Sequence, residues 1–370
     1  MNDSFANIFR GLPVLVTGHT GFKGSWLTVW LRELGARVIG FSLPEPPTTP
    51  SNFELSRLAS RMTDERGDVR DYHALRRLFD AQRPQVVFHL AAQPLVPAAY
   101  EDPKETFDTN VGGTVNLLEA VRASDSVRAV VCVTTDKVYE NREWVWGYRE
   151  NDRLGGHDPY SASKAMAELA VASFRRSYFG EGLPAVATAR AGNVIGGGDF
   201  TDDRLLPDCM RALMAQESLW VGNPLSVRPW QHVLESLSGY LWLATHLLQE
   251  GQTFAEAWNF APHDPEGVTA GQLVEEAIAL WGSGSWRHNP HVRPHQETGV
   301  LRLNWDKAAN RLGWRPVYDW REALAATVEW FKQYQQQPEA DFYPLCASQI
   351  EAYTSRARGL GLPWASGETR

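Results

Sequence analysis

The chain has 370 residues, of which 43% are hydrophobic and 22% charged, with a formal net charge of -8. This is the profile of an ordinary globular protein that can bury a core without a disulfide or metal staple. The acidic balance excludes the basic face that non-specific nucleic-acid binding requires.

Cys132, Cys209 and Cys346 are far apart and contain no CxxC pair, so they are read as reduced thiols. No apolar run approaches the length of a membrane span. The N-terminal stretch lacks the basic start and apolar core of a signal peptide, so the cytoplasm is the expected compartment.

In chain order, Leu12 to Thr17 reads as a buried strand that ends in a glycine-rich turn. Trp26, Leu27, Trp30, Leu31 and Leu34 recur at helical spacing, and Gly35 supplies the stop. Arg37 to Leu43 is the second strand. Asp71 to Arg83 reads as a helix, Gln85 to Leu90 as a strand, Thr106 to Ala123 as a helix and Val127 to Thr134 as a strongly apolar strand. A long helix runs from Ser161 to about Tyr178, and Ala185 to Ala189 is one more strand. Such alternation specifies an α/β fold, a Rossmann-type doubly wound parallel sheet with helices on both faces. Ligands are then expected at the edge formed by the strand C-terminal ends. After Gly192 the pattern becomes irregular, with a Gly/Asp-rich loop, Pro/Trp/His-rich turns and short helices, which reads as a smaller C-terminal substrate-binding region. The tail from Gln335 starts polar, carries Pro338, Pro344 and Pro363, and is expected to wrap the surface.

Glycines three apart in Thr17-Gly18-His19-Thr20-Gly21-Phe22-Lys23-Gly24 sit between the first strand and the first helix. They let the backbone approach a pyrophosphate and aim the helix N-terminus at its charge. Lys23 is either a further phosphate contact or a solvated surface lysine. The acidic residue that usually ends the second strand and grips the adenosine ribose is missing; Ser42 stands there. Asp68-Val69 is the candidate adenine contact. Leu90-Ala91-Ala92-Gln93, Thr109-Asn110 and Thr134 fall where loops reach a dinucleotide. Tyr160 and Lys164 lie four apart on one helix face, where an ammonium favours the phenolate and the tyrosine can take a hydroxyl proton.

These residues together resemble the extended short-chain dehydrogenase/reductase family over about residues 12 to 335. The resemblance implies NAD as cofactor and hydride chemistry by Tyr160 and Lys164 on a sugar hydroxyl. Its expected organisation is an NAD-binding Rossmann domain over 1–192, to which 233–262 returns. A substrate-binding region over 193–232 and 263–335 follows, then the tail over 336–370.

Thr134-Thr135-Asp136-Lys137-Val138-Tyr139 narrows the chemistry, because elimination of water needs one group to donate a proton and another to accept one. Within the family, Asp-Lys at this place, TGHTGFKGSW and Arg228-Pro229-Trp230-Gln231-His232-Val233 are similar to the 4,6-dehydratases that act on CDP-glucose. The resemblance implies that Tyr160 and Thr135 handle the carbon 4 hydroxyl, Lys137 removes the carbon 5 proton, and Asp136 protonates the departing carbon 6 hydroxyl. A lysine base must be desolvated or crowded by cations, since its unperturbed pKa is about 10.4. Asn193, Arg204, Arg228, Trp230, His232 and Arg302 are the candidate substrate contacts. A homodimer, alone or paired again, is implied by the helices over Thr106–Ala123 and Ser161–Tyr178. The implied setting is deoxysugar biosynthesis such as supply of O-antigen sugars. No membrane partner is expected. His288, His291 and His295 are read as a polar loop rather than a metal site, because Pro290 and Pro294 break their spacing and no further ligand completes the set. Rival readings are a dehydratase for another nucleotide sugar, a nucleotide-sugar 4-epimerase, and a non-catalytic dinucleotide sensor.

Overall fold

A computed structural model describes residues 4–263, 267–289 and 300–366. Its centre is a seven-stranded sheet of β1 (Pro13–Thr17), β2 (Arg37–Ser42), β3 (Thr63–Arg66), β4 (Val86–His89), β5 (Ala129–Val133), β6 (Ala185–Ala191) and β7 (Ala257–Phe260). The spatial order is β7-β6-β5-β4-β1-β2-β3, and every pairing is parallel. The order reverses between β1 and β4, which leaves a crevice beyond their C-terminal ends.

Alternation along the strands divides the interior into two layers. Val14 and Val16 of β1 face one layer, and Leu15 faces the other; Phe88 and Val87 of β4 divide in the same way. The smaller layer is closed by α2 (Tyr72–Gln82), α3 (Gly113–Arg122) and part of α4 (Pro159–Tyr178). The larger is filled by α1 (Phe22–Glu33), α5 (Val233–Glu250), α6 (Trp320–Gln336) and α7 (Tyr343–Gly359).

Three elements differ from the sequence expectation. Every residue of α5 from Val233 to Leu248 is buried. A helix packed on all sides carries no polar stripe, so its periodicity is hidden. The tail does not wrap the surface: α7 buries Cys346, Ile350 and Tyr353, and Trp364 beyond it is fully buried. Trp364 stacks on Phe5 at 5.1 Å and meets Trp30 of α1 edge-on at 6.0 Å.

The expected helix over Thr106–Ala123 is interrupted. A helix over Pro103–Phe107 passes through a π-helical turn over Asp108–Gly112 into α3. The wide turn carries Asn110, whose side chain accepts from Gln93 N at 2.9 Å and donates to Ser163 Oγ at 2.9 Å. It therefore ties the loop after β4 to α4, a role often served by π-bulges near functional sites.

Candidate active site

The loop between β1 and α1 lies over the crevice. Gly18 has φ +74°, and a Cβ there would stand 2.7 Å from Ala91 N. A Cβ on Gly24 would stand 2.1 Å from Gly18 O, so only glycine lets the loop close on α1. The N-cap of α1 is Gly21, with no side-chain cap. Its first-turn N–H groups are left to an anion, and the cradle fits a dinucleotide pyrophosphate. Ala91 N donates to Thr17 Oγ1 at 3.2 Å, which joins the ends of β1 and β4.

The flanking candidates divide. Ser42 Oγ bonds His19 Nδ1 at 2.9 Å and accepts from Thr20 N at 3.4 Å. Its hydroxyl is committed to the glycine loop rather than held out for a ribose. His19 is fully buried, and its Nε2 reaches Asp64 of β3 at 2.8 Å. Asp68 is bound by Arg70 Nε at 2.8 Å. Burial pushes the Asp68 carboxyl up, but the Arg70 hydrogen bonds prevail and hold it low. Val69 is buried against Gly113 at the start of α3. Leu90 and Ala92 are half-buried beside Gln93, and Thr109 is half-buried on the π-helical turn.

The catalytic candidates converge at the end of β5. Thr135 is extended, and Asp136–Val138 form a single 3-10 turn, so Asp136 and Lys137 do not continue the strand. Thr135 Oγ1 donates to Asp136 Oδ1 at 2.9 Å and accepts from Lys137 N at 3.4 Å. Tyr160 stands on the first turn of α4, where the Thr135 hydroxyl acts on its phenol. Asp136 is 4% exposed. Burial raises its pKa, opposed by Lys137, the Thr135 hydrogen bond, Arg228 and Lys23. Lys137 is half-buried at the pocket wall.

Burial pushes Tyr160 up to about 12, although the Thr135 hydroxyl and the Arg204 charge favour the phenolate. The expected lowering of the phenol by Lys164 is thus not seen. Lys164 Nζ instead donates to Val133 O at 3.2 Å, and burial brings its pKa down to about 8. Lys23 is not a solvated surface lysine. It faces Arg204, Asp136 and Lys164 inside the pocket, its Nζ lies 5.9 Å from the Tyr240 ring centroid, and burial with those cations brings it down to about 7.

Beneath the pocket lies a polar network that sequence reasoning missed. Glu168, one turn beyond Lys164, accepts from Arg190 Nε at 2.9 Å, Arg190 Nη2 at 2.8 Å and Thr188 Oγ1 at 2.8 Å. The Thr134 hydroxyl also donates to Glu168 and so turns away from the cofactor edge. Arg190 Nη1 continues to the Tyr139 hydroxyl at 2.7 Å, which donates to Asn259 Oδ1 at 2.8 Å. A polar residue at the fourth place after Lys164, and a lone arginine in an alanine-rich strand, were the available signals.

Of the substrate candidates, Arg204 and Arg228 reach the pocket, acting on Tyr160 and Asp136 respectively. Asn193 is half-buried just beyond β6, and its carbonyl accepts from Gln231 N at 3.1 Å. Trp230 is 8% exposed. Arg302 is half-buried, and its carbonyl accepts from Tyr148 N at 2.8 Å. His232 is not brought into the pocket. It is fully buried, accepts from Leu234 N at the start of α5, and packs edge-on against Trp26 and Tyr318. Burial pushes it down to about 3. His288 is exposed, whereas His291 and His295 lie outside the described residues. Among the described residues no group of three or more His, Cys, Asp or Glu could hold a metal ion.

Known proteins are similar to this chain in sequence and in fold. The CDP-glucose 4,6-dehydratase of Salmonella typhimurium is 49% identical over 335 residues, covering 88% of this chain and 92% of that protein. The UDP-glucose 4-epimerase of Thermus thermophilus, solved with NAD, superposes with a TM-score of 0.73 at 25% identity, over 87% of this chain and 99% of that one. A double mutant of the dTDP-glucose 4,6-dehydratase of Streptomyces venezuelae, also with NAD, gives 0.72 at 25% identity, over 89% and 99%. The family profile described as GDP-mannose 4,6 dehydratase matches residues 15–327, and the chain belongs to that family of the extended short-chain dehydrogenases.

Proposed function

We propose that this chain catalyses the NAD-dependent dehydration of CDP-D-glucose to CDP-4-dehydro-6-deoxy-D-glucose. The observation that carries it is the pocket itself. The Thr135 hydroxyl bonds the carboxyl of Asp136 and favours the phenolate of Tyr160, with Lys137 on the same turn and the pyrophosphate cradle adjoining. The 49% identity to a CDP-glucose enzyme supports the choice of nucleotide.

Bound NAD supplies the acceptor for the carbon 4 hydride and returns it at carbon 6. Tyr160 and Thr135 hold the carbon 4 hydroxyl and receive its proton. The ketone that results acidifies the carbon 5 proton, which Lys137 removes. Asp136 protonates the carbon 6 hydroxyl so that it departs as water. Its burial favours the protonated form this step requires. Lys164 and Gly18, Gly21 and Gly24 hold the cofactor, while Arg204 and Arg228 meet the charge of the substrate diphosphate.

The same reading assigns 1–192 and 233–262 to cofactor binding and 193–232 with 263–335 to the substrate. It includes a homodimer through α4, where Met166 and Leu169 lie three apart and are 46% and 58% exposed. It also includes a cytoplasmic place in deoxysugar biosynthesis; no described helix is long and apolar enough to cross a membrane. The test is to incubate the protein with NAD and, separately, CDP-glucose, dTDP-glucose, GDP-mannose and UDP-glucose, and to follow loss of one water by mass. Water loss from CDP-glucose, abolished in Lys137→Ala and Asp136→Asn, is the expected result. Loss from another sugar alone would overturn the nucleotide, and carbon 4 isomerisation without water loss would overturn the reaction.

A further inference from the structure

Carbons 4, 5 and 6 are successive atoms of one sugar, and the reaction proposed above works on all three before releasing it. Tyr160 and Lys164, which serve carbon 4, lie on α4, whereas Asp136 and Lys137 lie on a single 3-10 turn after β5. Such a turn has poorer internal hydrogen bonds than an α-helix. Its placement against α4 must therefore come from what holds its two ends.

Both ends are held by one buried ion pair. Before the turn, the Thr134 hydroxyl donates to Glu168. After it, the Tyr139 hydroxyl accepts from Arg190 Nη1 at 2.7 Å. Arg190 and Glu168 are joined to each other from Nε to Oε1 at 2.9 Å and from Nη2 to Oε2 at 2.8 Å. The tyrosine end cannot swing, because its one proton goes to Asn259 Oδ1 at 2.8 Å. Asn259 Nδ2 is itself spent on Tyr148 O at 2.8 Å and Asn304 O at 3.1 Å. A planar guanidinium can address a carboxylate and a hydroxyl on two elements at once, in a fixed geometry that an ammonium lacks. Glu168 stands one turn beyond Lys164, so the pair ties the catalytic turn to the helix of Tyr160 and Lys164. Two residues after Arg190 the chain also backs the acid: a Cβ on Gly192 would stand 3.1 Å from Asp136 Oδ2.

We propose that Arg190 and Glu168 are positioning residues for the elimination: by gripping Thr134 and Tyr139 they hold Asp136 and Lys137 in register with a sugar oxidised on α4. This rests on the dehydration reading. The pair lies beneath the pocket and acts through the turn. Oxidation depends less on it, because the residues of α4 have ties of their own. Ser163 Oγ donates to Tyr160 O at 2.7 Å, and Lys164 Nζ donates to Val133 O at 3.2 Å. Freeing one end of the turn lets Asp136 and Lys137 drift while α4 stays in place, so the reaction stalls after its oxidation half.

The test cuts one tether at a time and leaves the ion pair whole. Tyr139→Phe removes a single oxygen and keeps the ring that stacks on Tyr148 at 5.1 Å. Thr134→Val cuts the other end. Each variant, its fold checked by circular dichroism, is mixed with NAD and CDP-glucose, and loss of water by mass is followed together with reduced-nicotinamide absorbance. Both variants should lose water about tenfold more slowly, with reduced nicotinamide building up to a higher level than in the unaltered protein. Thr134→Ser, which keeps the hydroxyl, should recover most of that loss. A mere shortage of correctly folded protein would lower both signals together. Water loss at the unaltered rate in either folded variant, slower loss without that build-up, or a Thr134→Ser that behaves like Thr134→Val overturns the proposal. An unaltered protein that removes no water from CDP-glucose overturns the dehydration reading instead.

Discussion

Replacing Glu168 by Gln is expected to destabilise the whole molecule and not only the pocket. Glu168 and Arg190 are each 3% exposed at the side chain and share two hydrogen bonds, at 2.8 and 2.9 Å. Burial alone would push the Glu168 carboxyl up; the guanidinium and the Thr134 and Thr188 hydroxyls override it and hold the pKa low. Neutralising one partner leaves a buried guanidinium without its counter-charge, which costs about 3–5 kcal/mol. The unfolding entropy of a chain of 370 residues is about 0.8 kcal/mol per kelvin, so the melting temperature should fall by about 4–6 °C. Differential scanning calorimetry on Glu168→Gln, Arg190→Met and the double variant measures the coupling directly. The two losses should fall short of additivity by about 2 kcal/mol or more, because either change already breaks the pair. Additivity within about 0.5 kcal/mol would refute the idea that the two residues act as a unit. Glu168 also raises the Lys164 ammonium, so the single variant should move Lys164 further below its present value of about 8.

Gly24→Ala should leave the far-ultraviolet circular dichroism unchanged but weaken NAD binding by about tenfold or more in calorimetric titration, since the new methyl meets Gly18 O at 2.1 Å. His89 and His232 are buried neutral, both pushed down to about 3 from an ordinary 6.5. The unfolded chain therefore binds more protons than the folded one between those limits. Stability is full above pH 6.5 and falls as the pH drops, by about 1.4 kcal/mol per unit for each histidine. Urea unfolding of His232→Gln between those limits should show a slope shallower by that amount, and an unchanged slope would disprove the assignment. Trp364→Ala should cost about 3–5 kcal/mol in the same assay, because the ring is fully buried against Phe5 and Trp30.

The cofactor half of the fold was legible because its strands are short apolar runs bounded by turns and its helices show one apolar face. The expected Arg37–Leu43 and Ala185–Ala189 strands lie within one or two residues of β2 and β6. The helix α5 was hidden because burial on every side leaves no period to read. The tail was misread because Pro344 and Pro363 mark first turns of helices there, where proline is favoured, and not breaks. At the site, motif spacing placed Tyr160, Thr135 and Asp136 on adjoining elements. It could not tell that Ser42 and Thr134 spend their hydroxyls on His19 and Glu168, since those partners come from distant strands and helices. Nor could it tell that Lys23 points inward, because direction depends on how α1 meets α5 and the pocket.

The packing of Trp364 and Tyr353 on Trp30 also orders events during synthesis. Trp30 belongs to the first helix after β1, yet the rings that cover it are more than 300 positions later in the chain. A ribosome adds residues at about 5–20 per second, so that face of α1 stays wet for many seconds after its own strand and helix have emerged. During that interval the nascent chain carries an open aromatic surface of the kind that chaperones recognise. Truncations that stop before α7 should therefore accumulate as chaperone-bound or aggregated material even though every catalytic side chain has already been made.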